Sequence, residues 1–250
     1  MKKYGLIGYP LGHSFSKKYF TEKFAREGLT DCHYDNYELD DISQLENLLD
    51  GNRDLHGLNV TIPYKTSVID RLDIIDEDAS DVGAVNIIKI YRDSGSRFLK
   101  GYNSDIYGFR ESLVPYLDEY TRSALILGTG GSSLAVEWVL GKLNIKCLKV
   151  SRNPAGDSIG YHDITRDLLS GIQLIINTTP LGMFPGIDKK PAINYDFLHS
   201  SHILYDLIYN PEITGFMQEG RRRGCKVIGG YSMLVLQAEK SWEIWTAIDS

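Results

Sequence analysis

Polar side chains recur at the ends of strand-like segments in the first half of the chain, and their types suit a small polar ligand. Hydroxyls, amides, one lysine and one carboxylate at successive strand ends fit a ligand that is neutral to anionic and rich in hydroxyl groups. Taken singly, each has an ordinary interpretation, such as a helix cap for Ser16, a turn former for Asn59 and a solvated charge for Lys65. The residues concerned are Ser14, Ser16, Asn59, Thr61, Lys65, Asn86 and Asp105.

A glycine-rich turn in the second half has the spacing of a dinucleotide-binding motif. The turn Gly128-Thr-Gly-Gly-Ser-Ser133 directly follows the apolar run Ala124–Leu127, and an apolar helical pattern continues to about Leu143. Its pattern is G-x-G-x-x-S, with Ser133 where glycine or alanine is usual. Glycines let the backbone turn tightly and approach a pyrophosphate, which then lies at the N-terminus of the helix. The sequence therefore predicts a dinucleotide site at this turn.

The end of the next strand-like run indicates which dinucleotide binds. An Asp or Glu there would hydrogen-bond the ribose 2′-hydroxyl of NAD, but the residues are Ser151, Arg152 and Asn153. A planar guanidinium can donate two charge-assisted hydrogen bonds to a 2′-phosphate. We therefore predict NADP as the cofactor; the alternative is that Arg152 is a solvated surface residue.

Apolar strand-like runs alternate with helical patterns from end to end, which is typical of the α/β class. Helices are predicted over about Lys17–Glu27, Ile42–Leu49, Ile106–Tyr116 and Ser232–Ile248, with the first capped by Ser16. The predicted strands are Tyr4–Tyr9, His33–Leu39, Gly57–Ile62, Asn86–Tyr91, Phe98–Tyr102, Ala124–Leu127, Cys147–Val150, Leu174–Asn177, Ile203–Asp206 and Lys226–Ile228, the last five in one sheet. Because no Pro/Ser-rich linker separates the halves near residues 105–123, we expect two domains packed together with a cleft between them.

Composition and charge exclude several classes of protein. The chain has 250 residues and a net charge of −6, which argues against non-specific binding to nucleic acid or to an anionic membrane. No apolar stretch approaches the roughly 20 residues of a membrane span. The three widely spaced cysteines predict reduced packing residues, and these features together predict a cytoplasmic protein.

Other polar clusters have plainer interpretations than a functional site. His199 and His202 lack an evident third ligand nearby, so no metal site is predicted. The acidic residues between positions 73 and 81 are expected on a solvated helix face, from which only Glu77 could approach the cofactor. The three arginines at 221–223 are expected near a helix C-terminus, where positive charge is favoured.

Eight motifs occur along nearly the whole chain in a fixed order. They are Gly8–Ser16 with its H-S-x-S, Asn59–Lys65, Gly83–Asn86, Gly101–Asp105, Gly128–Gly131, Asn177–Thr179, Asp206–Pro211 and Gly230–Gln237. In type and order they resemble the shikimate dehydrogenase family, and eight ordered matches are far more specific than any single motif. The chain departs from the usual family pattern at Ser232, in Asn177–Met183 and in the short segment 153–173.

The resemblance implies a discontinuous substrate-binding catalytic domain, residues 1–106 with 232–250, and an NADP-binding Rossmann domain at residues 107–231. Lys65 and Asp105 would form the catalytic pair. The substrate would be held by Ser14, Ser16, Asn59, Thr61, Lys65, Asn86, Asp105, Tyr209 and Gln237. NADP would be held by Gly128, Thr129, Gly130, Gly131, Ser132, Ser151, Arg152, Asn153, Thr178, Leu207, Gly230 and Met233.

The function implied by the resemblance is the reversible, NADPH-dependent reduction of 3-dehydroshikimate to shikimate, on the route to chorismate and the aromatic amino acids. Lys65 would act as general acid in reduction and base in oxidation, or as an electrostatic clamp on the developing alkoxide. Asp105 would orient the reacting hydroxyl. The protein is expected to be a monomer or homodimer with a small-molecule substrate and neither nucleic acid nor membrane as partner.

Three other functions share parts of this pattern. A quinate/shikimate dehydrogenase with a looser choice of substrate and cofactor stays open, although Arg152 without a nearby acid favours NADP. A nucleotide-binding sensor that regulates a partner could dispense with Lys65 or Asp105, and both are present. A methylene-folate dehydrogenase would share the two-domain plan, but the H-S-x-S segment and the motifs around Tyr209 and Gln237 point away from it.

Overall fold

The chain folds into two compact units, one of which is discontinuous in sequence. A computed structural model describes residues 1–12, 15–93 and 95–247. The first unit comprises Met1–Ser104 and Gln237–Ser250, and the second comprises Asp105–Leu236. The prediction placed the two boundaries after residues 106 and 231. In the structure each boundary coincides with or lies inside a helix, so no break in the sequence pattern marks it.

The first unit is built on a mixed six-stranded sheet. Its strand order is β2-β1-β3-β5-β6-β4. Strand β1 runs parallel to both β2 and β3, whereas β5 is antiparallel to β3 and β6. The strands are β1 (Lys2–Gly8), β2 (Cys32–Glu38), β3 (Leu55–Val60), β4 (Ile74–Ile75), β5 (Ile87–Asp93) and β6 (Ser96–Tyr102).

Helices cover both faces of this sheet. They are α1 (Phe15–Arg26), α2 (Leu45–Gly51), α3 (Glu77–Val82) and the second half of α8 (Tyr231–Thr246), with 3₁₀ turns at Ile42–Gln44 and Ile69–Arg71. The prediction of Ser16 as a helix cap was wrong, because α1 already begins at Phe15. The side chain of Ser16 instead acts on Tyr34 of β2, where it counteracts the burial that raises the pKa of the phenol.

An aromatic cluster forms the core between α1, α8 and the sheet. The indole of Trp245 stacks on the ring of Tyr4, with centroids 5.0 Å apart, and its Nε1 donates to the carbonyl of Ile88 at 3.1 Å. The ring of Phe20 stacks on Tyr34 at 4.6 Å. A Cβ on Gly57 would lie 2.3 Å from the Trp245 ring, so only glycine lets the helix approach the strand this closely. The C-terminal helix therefore completes the core of the first unit.

The second unit is a parallel six-stranded sheet with a Rossmann strand order. The order β12-β11-β10-β7-β8-β9 reverses between β7 and β10, which is the point where such sheets bind nucleotides. All four residues of both β10 and β11 are buried, as expected for strands covered on two faces. The strands are β7 (Ser123–Leu127), β8 (Lys146–Ser151), β9 (Ile159–Gly160), β10 (Leu174–Asn177), β11 (Ile203–Asp206) and β12 (Lys226–Ile228).

Helices link the strands of the second sheet, and the α/β class is confirmed. They are α4 (Asp105–Leu113), α5 (Gly131–Lys142), α6 (Arg166–Ser170), α7 (Gly215–Arg222) and the first half of α8. Pro115 lies in a short 3₁₀ turn directly after α4. No helix in the described ranges is long and apolar enough to cross a membrane.

Candidate active site

The carboxyl ends of β1 and β3 bring two of the predicted substrate residues to one edge of the first sheet. Thr61 follows β3, and its backbone N–H donates to the carbonyl of Ile7 at the end of β1, at 2.9 Å. Asn59 lies on β3 two residues earlier and is half-buried. A Cβ on Gly8 would lie 2.5 Å from Cγ2 of Thr61, so the two strand ends pack backbone against side chain. Thr61 and Asn59 are therefore fixed at this edge.

Lys65 is held by a tyrosine anchor in the turn that follows β3. The buried side chain of Tyr64 donates its hydroxyl proton to the carbonyl of Leu39 at 2.6 Å. The carbonyl of Lys65 accepts from the N–H of Val85 at 2.7 Å, and its side chain is half-buried. The backbone of Lys65 is thus fixed next to Asn86.

Asn86 joins several parts of the predicted substrate site. Its Oδ1 accepts from the backbone N–H of Ser104 at 2.7 Å. Its Nδ2 donates to the hydroxyl of Ser104 at 3.2 Å and, more weakly, to Oε1 of Gln237 at 3.5 Å. Asn86 is only 4% exposed, and Ser104 directly precedes Asp105 in the chain. Asn86 therefore connects the strand edge to the C-terminal helix.

A second polar network lies beneath this edge and includes residues that sequence reasoning missed. The hydroxyl of Tyr34 donates to Oδ1 of Asn59 at 2.8 Å. The amide of Asn59 donates in turn to the hydroxyl of Ser241 at 2.9 Å, and that hydroxyl donates to the carbonyl of Gln237 at 2.8 Å. The network therefore runs from β2 through β3 to α8, and the side chain of Ser16 on α1 lowers the pKa of the Tyr34 phenol at its start. Its directed hydrogen bonds fix the orientation of the Asn59 amide.

Tyr34→Phe is expected to weaken substrate binding without removing any group placed in the predicted site. The change deletes one hydroxyl and frees the Asn59 amide to rotate, so we expect KM for the predicted substrate to rise about fivefold, the equivalent of one hydrogen bond. Steady-state kinetics at saturating NADP measure it. Tyr37→Phe on the same strand is the matched control and is expected to stay within about twofold of the wild type. An unchanged KM in a folded Tyr34→Phe protein would contradict the role of the network.

The remaining predicted substrate residues lie elsewhere or outside the described ranges. Asp105 is the first residue of α4 in the second unit and is 2% exposed. Tyr209 belongs to the same unit, and burial raises the pKa of its phenol. Ser14 lies outside the described residues. The structure therefore brings Ser16, Asn59, Thr61, Lys65, Asn86 and Gln237 to the first unit, and Asp105 and Tyr209 to the second.

The glycine turn of the second unit follows β7 at the reversal of strand order. Gly128 has φ = +115°, and a Cβ there would lie 2.7 Å from Oγ1 of Thr178, so both backbone conformation and space require glycine. The hydroxyl of Thr178 donates to the carbonyl of Leu127 at 2.9 Å. A Cβ on Gly130 would meet no atom within 4 Å, which leaves this side of the turn accessible to a ligand at the start of α5. The turn thus fits a pyrophosphate.

The serine that departs from the glycine fingerprint has a local partner. Ser133 is 1% exposed, and its hydroxyl donates to the carbonyl of Gly130 at 2.6 Å. This hydrogen bond gives the buried hydroxyl a partner and joins the first turn of α5 to its N-cap residue, Gly130. The G-x-G-x-x-S pattern is therefore compatible with the geometry that the motif needs.

The end of β8 presents the residues predicted to choose between NADP and NAD. The hydroxyl of Ser151 donates to the carbonyl of Asn153 at 3.1 Å and accepts from the N–H of Asn153 at 3.2 Å, which forms a tight turn. Arg152 lies within this turn and is exposed. Its positive charge counteracts the burial that raises the pKa of the nearby Tyr161 phenol. An exposed guanidinium next to a serine hydroxyl suits a ribose 2′-phosphate.

The other predicted cofactor residues line the same edge of the second sheet. The N–H of Leu207 donates to the carbonyl of Asn177 at 3.1 Å, which joins the loops after β10 and β11. A Cβ on Gly230 would lie 2.2 Å from the carbonyl oxygen of Leu207, so glycine is needed for this close approach. Met233 is buried in the first turn of α8. Thr129, Gly131 and Ser132 belong to the glycine turn or the start of α5.

Asp206, at the end of β11, is a buried carboxyl group that sequence reasoning did not single out as a site residue. It is fully buried and accepts from Nδ2 of Asn177 at 3.0 Å, the N–H of Ile208 at 3.1 Å and the hydroxyl of Thr214 at 2.6 Å. Burial outweighs these hydrogen bonds and raises its pKa to about 6. The sequence signal for Asp206 is its position: a charged residue ends the apolar run that begins at Ile203, and it therefore lies at the carboxyl end of a buried strand.

The raised pKa of Asp206 predicts a pH-dependent stability. Because the folded chain binds this proton more tightly than the unfolded chain, the free energy of unfolding should fall as pH rises from about 4 to about 6. The contribution lost is about 2–3 kcal/mol. Urea unfolding at several pH values, compared between wild type and Asp206→Asn, measures it, because asparagine cannot titrate. Identical pH slopes in the two proteins would contradict the raised pKa.

The residues given plainer interpretations are placed as follows. His202 is fully buried, its Nδ1 accepts from the N–H of His199 at 3.0 Å and its Nε2 lies 3.0 Å from the carbonyl oxygen of Leu169. Within the described ranges no group of three or more His, Cys, Asp or Glu side chains could hold a metal ion. Glu77 is exposed in the first turn of α3, and the arginines at 221–223 close α7, as predicted. Asp73 and Asp76 precede α3, so the prediction of one helix face for the whole acidic cluster was wrong for these two residues.

Comparison with known proteins identifies the family to which the chain is similar. Residues 6–88 match the family model described as the shikimate dehydrogenase substrate binding domain. The NADP(+) shikimate dehydrogenase of Methanococcus aeolicus is 35% identical over 99% of this chain and 92% of its own length.

Solved structures extend the match to both units. The crystal structure of shikimate 5-dehydrogenase from Thermus thermophilus in complex with NADP(H) and shikimate superposes with a TM-score of 0.85. It is 25% identical, with coverage of 99% of this chain and 94% of the other. Quinate dehydrogenase from Corynebacterium glutamicum in complex with NAD, also 25% identical, superposes with a TM-score of 0.84 and the same coverage.

The fold and the relatives together define a two-unit α/β oxidoreductase with a Rossmann-type unit. The chain belongs to the shikimate dehydrogenase family, and the resemblance predicted from its motifs is confirmed.

Proposed function

We propose that this protein catalyses the reversible, NADPH-dependent reduction of 3-dehydroshikimate to shikimate, a step on the route to chorismate and the aromatic amino acids. The observation that carries the proposal is the cluster around Asn86. Its amide hydrogen-bonds Ser104 and Gln237, and the preceding Val85 holds the backbone of Lys65. Four motifs that are far apart in sequence thus meet at one edge of the first sheet.

The chain's own groups supply substrate binding and proton transfer. Hydroxyls and amides of Ser14, Ser16, Asn59, Thr61, Asn86, Tyr209 and Gln237 hold the ring substituents and carboxylate of the substrate. Lys65 donates a proton to the oxygen of the ring carbonyl during reduction and accepts it back from the hydroxyl during oxidation, and Asp105 orients the reacting hydroxyl. When bound, NADPH supplies the hydride for the ring carbonyl.

The second unit holds the cofactor in this proposal. The turn from Gly128 to Ser132 cradles the pyrophosphate, and Ser151, Arg152 and Asn153 bind the 2′-phosphate of NADP. Thr178, Leu207, Gly230 and Met233 contact the remainder of the nucleotide. The open face of Gly130 and the exposed guanidinium of Arg152 support this assignment.

A second candidate is a dehydrogenase that also accepts quinate and NAD. It is favoured by the likeness to the Corynebacterium glutamicum quinate dehydrogenase, which shares the fold over nearly the whole chain. Quinate and shikimate differ in the substituents of one part of the ring, and the same hydroxyls and amides could bind both. The exposed Arg152 at the end of β8 favours the NADP-dependent enzyme.

Location and assembly are further parts of the proposal. The cysteines Cys32, Cys147 and Cys225 are all unpaired thiols, which suits the reducing conditions of the cytoplasm. We propose that the protein acts there as a monomer or homodimer.

An absorbance assay that crosses NADP and NAD with shikimate and quinate tests the function. Turnover is expected with shikimate and NADP. Comparable turnover with quinate or NAD would favour the second candidate. Nucleotide binding without turnover in any pairing would instead indicate a sensor.

A further inference from the structure

The buried carboxyl of Asp206 lies where two loops of the second sheet meet, the one after β10 and the one between β11 and α7. Its Oδ1 accepts from the side chain of Asn177, which ends β10, and from the backbone of Ile208, which follows β11. Its Oδ2 accepts from the hydroxyl of Thr214, the N-terminal cap of α7. All three donors come from the carboxyl edge of the sheet, and none of them is a residue predicted to touch a ligand.

The hydrogen bond between Asn177 and Asp206 is connected to the glycine turn through Thr178 and Thr179. The amide oxygen of Asn177, oriented by Asp206, accepts from both the N–H and the hydroxyl of Thr179, at 3.1 and 2.6 Å. This holds the neighbouring Thr178, whose N–H and hydroxyl both donate to the carbonyl of Leu127. The side chain of Thr178 in turn lies directly against the space beside Gly128. Asp206 therefore supports the loop that forms one wall of the turn.

The second contact fixes the loop that carries Leu207 and Tyr209. The N–H of Ile208 is fixed by Asp206, and its carbonyl accepts from the N–H of Gly230 at 3.1 Å. Leu207 is held from the other side through Asn177. The carboxyl group of Asp206 thus hydrogen-bonds residues next to both loops that carry predicted cofactor residues, the loop after β10 and the loop after β11.

We infer that Asp206 is a positioning residue for the cofactor: its two oxygens hold the loops after β10 and β11, which carry Thr178 and Leu207, in the arrangement that binds the nucleotide. The inference rests on the proposed function, because it assigns a support to the cofactor residues named there. Asp206 is not itself assigned a contact with the nucleotide. Its effect passes through Asn177 and Ile208.

Asp206→Ala removes three hydrogen bonds and is expected to lower the affinity for NADPH about tenfold or more. Asp206→Asn is the conservative variant. Its amide oxygen can accept from Asn177 and Ile208 while its amide nitrogen donates to the Thr214 hydroxyl, so affinity should stay within about threefold of wild type. Protein fluorescence titrated with NADPH measures affinity directly, and thermal unfolding reports folding.

Thr214→Ala and Thr165→Ala form a matched pair that keeps the test open if Asp206→Ala fails to fold. Each removes a threonine that caps a helix of the second unit, but only Thr214 also donates to Asp206. Thr214→Ala should weaken NADPH binding, and Thr165→Ala should leave it unchanged. A positioning role further predicts that KM for NADP rises more than kcat falls in Thr214→Ala.

NADPH affinity within about twofold of wild type in a folded Asp206→Ala protein would overturn the inference. So would equal losses in Thr214→Ala and Thr165→Ala, since these would reflect helix stability alone. Because the titration needs no substrate, it separates this inference from the proposed reaction. If the wild type binds NADPH but turns over neither shikimate nor quinate, the reaction fails and the positioning role is still decided. If the wild type binds no NADPH, the positioning role is overturned as well.

Discussion

Replacing Lys65 with alanine is expected to lower turnover of shikimate about a hundredfold, while the affinity for shikimate stays nearly unchanged. Proton transfer by a positioned side chain contributes about 10²–10⁴-fold, and the loss of an electrostatic clamp would be of similar size. The backbone of residue 65 is held by Val85 and by the Tyr64 anchor, neither of which involves the lysine side chain. The substitution should therefore remove chemistry without displacing the loop.

Steady-state kinetics give the turnover of Lys65→Ala, and a fluorescence titration gives its affinity for shikimate. Lys18→Ala is the matched control, because this lysine lies on α1 of the same unit with 76% of its side chain exposed. The control should behave as the wild type. Turnover of Lys65→Ala close to wild type would refute the assignment of Lys65 as the proton carrier or clamp.

Arg152→Ala is expected to weaken NADP binding by roughly ten- to a hundredfold and to leave NAD binding nearly unchanged. A hydrogen bond to a charged group contributes about 1.5–3 kcal/mol, and only NADP carries the 2′-phosphate that the guanidinium would bind. Arg152 is exposed at the end of β8, so removing it should cost little stability. The ratio of the two affinities is therefore the quantity that changes.

Titration of wild type and variant with both nucleotides measures this ratio. Arg221→Ala, an exposed arginine in the last turn of α7, controls for the loss of one positive charge from the second unit. Higher salt should also reduce the preference of the wild type for NADP, because ionic strength screens exposed charges. Equal losses of NADP and NAD in Arg152→Ala would mean that Arg152 does not bind the phosphate.

Much of the fold could be predicted because the apolar pattern is unambiguous. Leu174–Asn177, Ile203–Asp206 and Lys226–Ile228 form strands with the predicted bounds, since each is a short apolar run at a polar boundary. The two-residue strands Ile74–Ile75 and Ile159–Gly160 were missed. Their extended conformation comes from pairing with β6 and β8, and so few residues leave no periodicity to detect.

The candidate site also contains residues that the sequence predicted and residues that it did not. Lys65 and Asn86 could be predicted because they recur with other polar residues at successive strand ends and lie in motifs that resemble those of the family. Tyr34 and Ser241 could not, because their roles depend on Asn59, which is 25 and 182 residues away in sequence. Ser16 had the pattern of a helix cap, yet it lies inside α1 and its side chain acts on a tyrosine of another element. Partners brought together by tertiary folding carry no local signal.

The place of Trp245 in the core of the first unit has a consequence for how the chain folds during synthesis. Translation completes residues 105–236 before Trp245 exists, so the second unit is the first that can bury its core. The N-terminal strands, although made earliest, must wait with Tyr4, Gly57 and Ile88 uncovered until the last helix emerges. The first unit therefore begins to be synthesised before the second unit but can complete its core only after it. Deleting the last turns of α8 would leave the first unit, most of which is translated first, without a complete core.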